Sequence, residues 1–171
     1  AMGWGRYPKA KADLIEPADA QSLQKFVASQ KKSASCISRG AGRSYGDSAL
    51  AGQLIGSRFL DSFLALDEQQ HTLRCGAGVK LGDILKVCLP RGLFLPVLPG
   101  TKEVSVGGAI AADVHGKNHH RDGSFCQHVT QISLVLASGE VVSCSATQNP
   151  ELFRASCGGM GLTGAIVEAT L

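Results

Sequence analysis

The sequence predicts an α+β fold, in a chain of 171 residues that is long enough for one domain with its own core. Helix-type and strand-type patterns alternate irregularly along it, and neighbouring strand patterns are separated by short polar turns, as in antiparallel hairpins. A doubly wound parallel sheet would instead show a regular alternation of strand and helix. The 21 glycines are clustered, which indicates loops with special backbone shapes.

The first clear element is a helix within residues 16–32, "EPADAQSLQKFVASQKK". Leu23, Phe26 and Val27 recur at helical spacing and share one face. Asp19 stands where an N-cap is needed, because its carboxylate can accept hydrogen bonds from the free amides of the first turn. We therefore expect an amphipathic helix that is capped by Asp19.

Three further elements follow in the first half of the chain. Residues 33–40, "SASCISRG", predict a short buried strand that leads into a glycine loop. Residues 63–78, "FLALDEQQHTLRCGAG", predict a β-hairpin with a polar turn. Residues 80–92, "KLGDILKVCLPRG", return to helical spacing, and we expect Pro90 and Gly92 to end that helix.

The second half of the chain contains the strongest hairpin pattern. Residues 93–101 are extended and interrupted by prolines, and residues 105–120 begin with glycines and end in a histidine-rich turn. Residues 128–144, "HVTQISLVLASGEVVSC", predict a hairpin that turns at "ASGE". Residues 149–156 predict a short helix, and residues 158–171 predict a glycine loop followed by a final strand.

Composition excludes several classes of protein. The formal net charge of +3 is too small and too scattered for a nucleic-acid-binding surface. No apolar run approaches the roughly 18 residues of a membrane span, and the polar start of the chain predicts no signal peptide. The six cysteines form no C-x-x-C motif, so we expect reduced core residues in an intracellular protein, with disulfides remaining open outside the cytosol.

Three glycine loops, residues 39–47, 99–108 and 158–164, are the candidate functional elements. The first lies in "ISRGAGRSYGDSAL", which places three glycines, two arginines and a Tyr45 suited to burial in one stretch. Successive amides in such loops can bind an anion, and two loops could hold the two phosphates of a diphosphate. The alternative is that these loops are ordinary turns.

Familiar motifs do not explain these loops. In "GAGRSYG" the third glycine comes one residue too late for G-x-G-x-x-G, and "AIAADVHGKN" lacks both the first glycine and the final Ser or Thr of a P-loop. His115 and His119 have a zinc-like spacing only on a helix, which Gly116 and Asn118 disfavour, so we predict no metal. The histidines lie either on a polar turn or, with Lys117, on an active-site loop.

The combination of "RGAGRSYGD" with "LPGTKEVSVGGAIAADVHGKNHHRDGSF" resembles the FAD-binding domain of the vanillyl-alcohol-oxidase class of flavoproteins. Within that class the chain is similar to the decaprenylphosphoryl-β-D-ribose 2-oxidase family. "GWGRYP" near the start and "ELFRASCGGMGLTGAIVEATL" at the end match the same family in order. The resemblance covers nearly the whole chain.

This resemblance implies a PCMH-type FAD-binding domain of two small α+β subdomains, with FAD between them. It implies that the first loop surrounds the pyrophosphate, that a second region makes further contacts, and that the last strand holds the adenine end. The implied cofactor-binding residues are Ser38, Arg39, Gly40, Ala41, Gly42, Arg43, Ser44, Tyr45, Gly46, Asp47 and Ser48, then Gly100, Ser105, Val106, Gly107, Gly108, Ala112, Asp113, Val114 and His115, and finally Ile166.

The family reaction moves a hydride from a sugar CH–OH group to the flavin N5. The resemblance implies catalytic roles for His115, Lys117 and Tyr45 beside the flavin ring. Many relatives attach FAD covalently through a histidine, and Arg43 stands at that position here, so we expect non-covalent FAD. The alternatives are a sugar-alcohol or aldonolactone oxidase of the same class, or a module without catalysis.

The resemblance also bears on domain organisation and partners. Residues 1–171 correspond to the FAD-binding domain alone, as an N-terminal fragment of a larger oxidoreductase without its second, substrate-binding domain. We expect such a fragment to be inactive alone. The implied partners are a lipid-linked or small sugar substrate and a short-chain dehydrogenase that completes an epimerisation. The implied location is the cytoplasm or the inner face of the membrane, with the periplasm left open.

Overall fold

The computed structural model describes residues 1–30 and 35–171. It confirms the α+β class, since five α-helices and two separate sheets occur within these residues. The last residues of the predicted first helix and the first residues of the predicted strand at 33–40 lie outside the described part of the chain.

The smaller sheet has three parallel strands, β1 (Asp13–Ile15), β2 (Cys36–Arg39) and β3 (Gln53–Gly56), with β3 in the centre. Helix α1 (Ala20–Ser29) lies between β1 and β2 in the chain, as parallel strands require a crossover. The prediction that β2 is buried is wrong, because all four of its residues are half-exposed. One reason is that Ser38 and Arg39 line a cleft.

The start of α1 confirms the predicted cap. The Ser22 amide donates to Asp19 Oδ1 at 2.6 Å, and the Asp19 amide donates to the Ser22 hydroxyl at 3.1 Å. This reciprocal pair lowers the pKa of Asp19, because the ionised carboxylate is the better acceptor for the Ser22 amide. Leu23 and Val27 are buried, as the helical spacing predicts.

The larger sheet has five antiparallel strands in the order β4-β5-β8-β6-β7. Their bounds are Phe63–Asp67 for β4, Thr72–Gly76 for β5, Gln131–Val135 for β6, Val141–Ser145 for β7 and Ala165–Thr170 for β8. The pairs β4–β5 and β6–β7 confirm both predicted hairpins, and β8 confirms the predicted final strand between them.

Four further helices follow in the chain: α2 (Leu81–Cys88), α3 (Val106–Ala111), α4 (His119–Asp122) and α5 (Pro150–Ser156). Two 3-10 turns, Leu89–Arg91 and Phe125–His128, complete the elements. Helix α2 ends at Cys88, slightly before the predicted end at Pro90 and Gly92. Pro90 lies in the 3-10 turn that follows, and the chain changes direction at Gly92, whose φ is 71°. The histidine-rich turn contains the single-turn helix α4.

Two clusters of buried side chains hold this arrangement together. The larger lies between the five-stranded sheet and helices α2 and α3, with Ile84, Ile110 and Ile132 wholly buried. The smaller joins the two sheets, since Leu23 of α1 and Val167 of β8 belong to it together. Burial of these shared apolar surfaces fixes the position of one sheet relative to the other.

All six cysteines are free thiols. Cys75, Cys88 and Cys144 are buried, which confirms a core position for these three. The same prediction is wrong for the other three, Cys36, Cys126 and Cys157, which are half-buried. Within the described residues, every helix is too short or too polar to cross a membrane.

The buried cluster gives a direct test of the fold. Leu134 of β6 is 0% exposed, whereas Leu162 is 81% exposed. We expect Leu134→Ala to lower the free energy of unfolding by about 2–5 kcal/mol, because it leaves a cavity in the core. Leu162→Ala, the matched control, should change it by less than about 0.5 kcal/mol. Urea unfolding measures both values, and equal losses in the two variants would contradict this assignment of the core.

Candidate functional site

A cleft of about 710 Å³ opens where the end of β2 faces the start of α3. Its walls come from the first glycine loop, from residues 99–105 and from the third glycine loop. A deeper slot adjoins it through Gly40, Ser44 and Gly108, and reaches Ile166 in β8. The outer cleft lies within the size range of small-molecule sites.

The first and second glycine loops touch each other directly. A Cβ added at Gly40 would overlap the Ser105 hydroxyl and lie 3.3 Å from the Ser105 Cβ, so a larger residue there requires the Ser105 side chain or the loop to move. Gly107 is similarly close to Ala77, whose Cβ would lie 3.0 Å from an added Cβ. Glycines therefore bring two segments that are distant in the chain to the two sides of one cleft.

The two loops differ in the state of their amides. Within the part of the chain that the structure describes, the amides of residues 40–45 donate to no main-chain acceptor. In contrast, the amides of Val106 and Gly107 donate to Val79 and Ala77 at 2.8 Å, and the Gly108 amide donates to the Ser105 hydroxyl at 3.3 Å. The expectation that both loops offer open amides is therefore wrong for Val106, Gly107 and Gly108 of the second loop, whose amides hold the start of α3 in place.

The two arginines of the first loop have different surroundings. Arg39 donates to the main-chain oxygens of Ala49 at 3.3 Å and Met2 at 2.7 Å, so its side chain fixes the two ends of the loop. The Arg43 guanidinium lies 4.7 Å from the centre of the Trp4 ring, a cation–π distance. The Arg43 Nε is buried and has no partner among the described residues. Arg43 thus brings positive charge to the cleft wall.

The chain start supports the first loop from outside. The Trp4 amide donates to the Ser44 oxygen at 2.8 Å, and a Cβ at Gly3 would lie 2.5 Å from that same oxygen. Trp4 also lines the cleft. Sequence reasoning missed this contact, although "GWGRYP" was among the segments that carried the family resemblance.

The third glycine loop forms the floor of the cleft. The amides of Gly158 and Met160 donate to Ile110 and Ala111 at the end of α3, at 3.0 and 2.8 Å. A Cβ at Gly161 would lie 3.9 Å from Ser38 Cβ, so this loop also reaches the smaller sheet. The cleft-lining residues that are absent from the predicted cofactor-binding set are Trp4, Ala49, Ser57, Ala77, Pro99, Thr101, Val104, Ala111, Met160, Gly161 and Gly164. The glycine clustering at 158–164 already indicated the last three.

Most of the predicted cofactor-binding residues line the cleft or the slot. They are Ser38, Arg39, Gly40, Ala41, Gly42, Arg43, Ser44, Tyr45, Ser48, Gly100, Ser105, Gly107, Gly108, Ala112, Val114 and Ile166. Gly46, Asp47, Val106, Asp113 and His115 do not line either one. Val106 is wholly buried, and the Asp113 carboxylate accepts from the Cys126 amide at 2.9 Å.

The three predicted catalytic residues are only partly brought together. Tyr45 lines the cleft but is 72% exposed, so the prediction that it is suited to burial is wrong. His115 and Lys117 are exposed and lie beyond the cleft lining, although His115 directly follows the lining residue Val114. The rings of His115 and His119 meet edge-on at 5.1 Å.

Comparison with known proteins identifies the family. Residues 12–145 match the model of the FAD binding domain family. The chain is 42% identical to decaprenylphosphoryl-beta-D-ribose oxidase of Mycolicibacterium smegmatis, over 99% of this chain and 38% of that protein. It is 29% identical to a putative D-arabinono-1,4-lactone oxidase of Neurospora crassa, over 91% of this chain and 28% of that protein.

The D-arabinono-1,4-lactone oxidase of Yarrowia lipolytica is 35% identical over 56% of this chain and 18% of that protein. The chain thus spans less than two fifths of the length of these relatives. The family model covers most of the described fold, including both the first loop and α3. On these grounds the chain belongs to the FAD binding domain family, and FAD is its cofactor.

Proposed function

We propose that FAD lies in the cleft between the two sheets, with its diphosphate on the first glycine loop. The observation that carries this proposal is the run of amides at residues 40–45, which donate to no main-chain acceptor within the described chain. Gly42 and Gly46 have φ values of 67° and 63°, and such left-handed positions turn successive amides towards a common point. The guanidinium of Arg43 adds positive charge on the same wall.

The second loop has a different role in this proposal. The amides of Gly107 and Gly108 are occupied, so these two residues contribute space for a close approach of the cofactor rather than hydrogen bonds. Ser105 retains a hydroxyl proton that can donate, since its oxygen accepts from Gly108. Ile166, in the deeper slot, would contact the adenine end.

We further propose that the protein to which this domain belongs oxidises a CH–OH group of a sugar. Bound FAD supplies the hydride acceptor for such a reaction. The likeness to a decaprenylphosphoryl-ribose oxidase over almost the whole chain supports a lipid-linked ribose as substrate. A ketone product of that kind requires a reductase, such as a short-chain dehydrogenase, to complete an epimerisation.

The catalytic residues in this proposal are Tyr45, His115 and Lys117. Tyr45 lines the cleft and is exposed, so its phenol hydroxyl can hydrogen-bond to a substrate and position it. His115 follows the cleft wall at Val114 and can orient a substrate hydroxyl by hydrogen bonding. Lys117 is exposed and can meet a substrate phosphate as a point charge.

A second candidate function is the oxidation of a sugar lactone. The two lactone oxidases among the relatives, at 29% and 35% identity, favour it. The first candidate has greater support, because the 42% identity to the ribose oxidase extends over 99% of the chain.

The contact between the two loops gives the first test. We expect Gly40→Ala to weaken FAD binding by ~10-fold, because the added methyl overlaps the Ser105 hydroxyl and must displace either that hydroxyl from the Gly108 amide or the first loop from the cleft wall. The measurement is flavin content and FAD affinity of the protein expressed from the complete reading frame that contains this chain.

Gly52→Ala is the matched control, because a Cβ at Gly52 meets no atom within 4 Å. We expect the control to bind FAD as the unchanged protein does. Equal FAD affinity in the Gly40→Ala variant would show that the first loop does not hold the cofactor in this conformation.

The position of Arg43 predicts non-covalent attachment, since a guanidinium forms no bond to the flavin. After acid precipitation of the holoprotein, we expect all of the flavin in the supernatant, detected by its absorbance near ~450 nm after neutralisation. Yellow colour that stays with the precipitated protein would contradict this prediction.

The substrate class is tested by flavin reduction without oxygen. We expect decaprenylphosphoryl-ribose to bleach the absorbance near ~450 nm of the protein from the complete reading frame, because hydride transfer removes this band. An aldonolactone at equal concentration is the matched comparison, and we expect it to leave the band unchanged. Bleaching by the lactone alone would favour the second candidate function.

A further inference from the structure

Two half-buried cysteines lie side by side behind the cleft. Cys126 belongs to the 3-10 turn Phe125–His128, and Cys157 follows the last residue of α5. Both are free thiols. They come from separate elements, and neither lines the cleft or the slot.

One carbonyl oxygen brings the two cysteines together. The Cys126 Sγ donates to the Ile110 oxygen at 3.4 Å, and the Gly158 amide donates to the same oxygen at 3.0 Å. Because Gly158 follows Cys157 directly, this shared acceptor places the Cys126 sulfur beside the peptide that joins Cys157 to Gly158. The Asp113 carboxylate also holds Cys126 in place, because it accepts a hydrogen bond from the Cys126 amide at 2.9 Å.

The two thiols differ chemically. The neighbouring Cys126 thiol lowers the pKa of Cys157, whereas the neighbouring Cys157 together with burial raises the pKa of Cys126. Cys157 is therefore the better nucleophile of the two. Burial raises the pKa of the core residue Cys75 to about 12, which leaves that thiol unreactive by comparison.

We propose that Cys126 and Cys157 form a peroxide-sensitive dithiol pair. The Cys157 thiolate attacks one oxygen of hydrogen peroxide and breaks the O–O bond, which leaves a sulfenic acid on Cys157 and releases hydroxide. The Cys126 sulfur then attacks the Cys157 sulfur, and the sulfenic oxygen leaves as water. Overall, two thiols and one peroxide give one disulfide and two waters, with the sulfurs oxidised and the peroxide reduced.

The disulfide would tie the third glycine loop to the wall of the cleft. Cys157 leads into residues 158–164, whose Met160 amide donates to Ala111 at 2.8 Å. The Cys126 amide donates to the Asp113 carboxylate. Asp113 directly follows Ala112, which lines the cleft, so Cys126 is connected to the cleft wall. A covalent link between these two segments restricts the motion of the loop.

The test is peptide mapping of the full 171-residue chain after treatment with hydrogen peroxide, without FAD. We expect a single cross-linked species in which Cys126 and Cys157 are joined, with the mass lower by about 2 Da. We also expect the amides of residues 158–164 to exchange with solvent several-fold more slowly in the oxidised chain. These readouts do not depend on FAD, so they succeed or fail independently of the proposed function.

Three variants assign the roles. In Cys126→Ser, Cys157 should stop at the sulfenic acid and be trapped by dimedone; in Cys157→Ser, Cys126 should stay reduced. Cys36→Ser is the matched control, because Cys36 is also free and half-buried, and it should keep the cross-link. Separate oxidation of Cys126 and Cys157 without a cross-link, or oxidation of Cys36 at the same rate, would overturn the proposal.

Discussion

The close approach of Gly40 to Ser105 is the constraint on which the cleft depends. These residues lie in different parts of the fold, one at the end of a strand of the smaller sheet and the other at the cap of α3. Any side chain at residue 40 would overlap the serine hydroxyl. The absence of a Cβ at Gly40 thus lets these two segments approach, and burial of Leu23 and Val167 in one cluster keeps the two sheets in place.

The first and second glycine loops contribute to binding in different ways. The first loop keeps its amides open and is held in shape from its flanks, by the Arg39 side chain and by the Trp4 amide. In the second loop, Val106 and Gly107 instead donate their amides to Val79 and Ala77, and Gly107 leaves room for a close approach. A negatively charged cofactor can therefore bind between a preorganised wall that carries Arg43 and a second wall that fits it closely. Less loop ordering is then needed on binding, so the entropic cost of binding is smaller.

Features set by local chemistry could be predicted from the sequence. The Asp19 cap, both hairpins and the final strand depend on neighbouring residues, and the structure confirms them. Features set by distant partners could not be predicted in this way. The occupied Gly107 amide depends on Ala77, thirty residues earlier, and the support of the first loop depends on Trp4 at the chain start. Glycine spacing marks where a loop bends, but it contains no information about which amides find a partner.

The placement of Trp4 has a practical consequence. It is the single tryptophan of the chain, and it packs on Arg43 at the wall of the cleft. Indole emission from these 171 residues therefore originates at one known location, beside the first glycine loop. Trp4 fluorescence can therefore report changes at this wall of the cleft without an added dye or label.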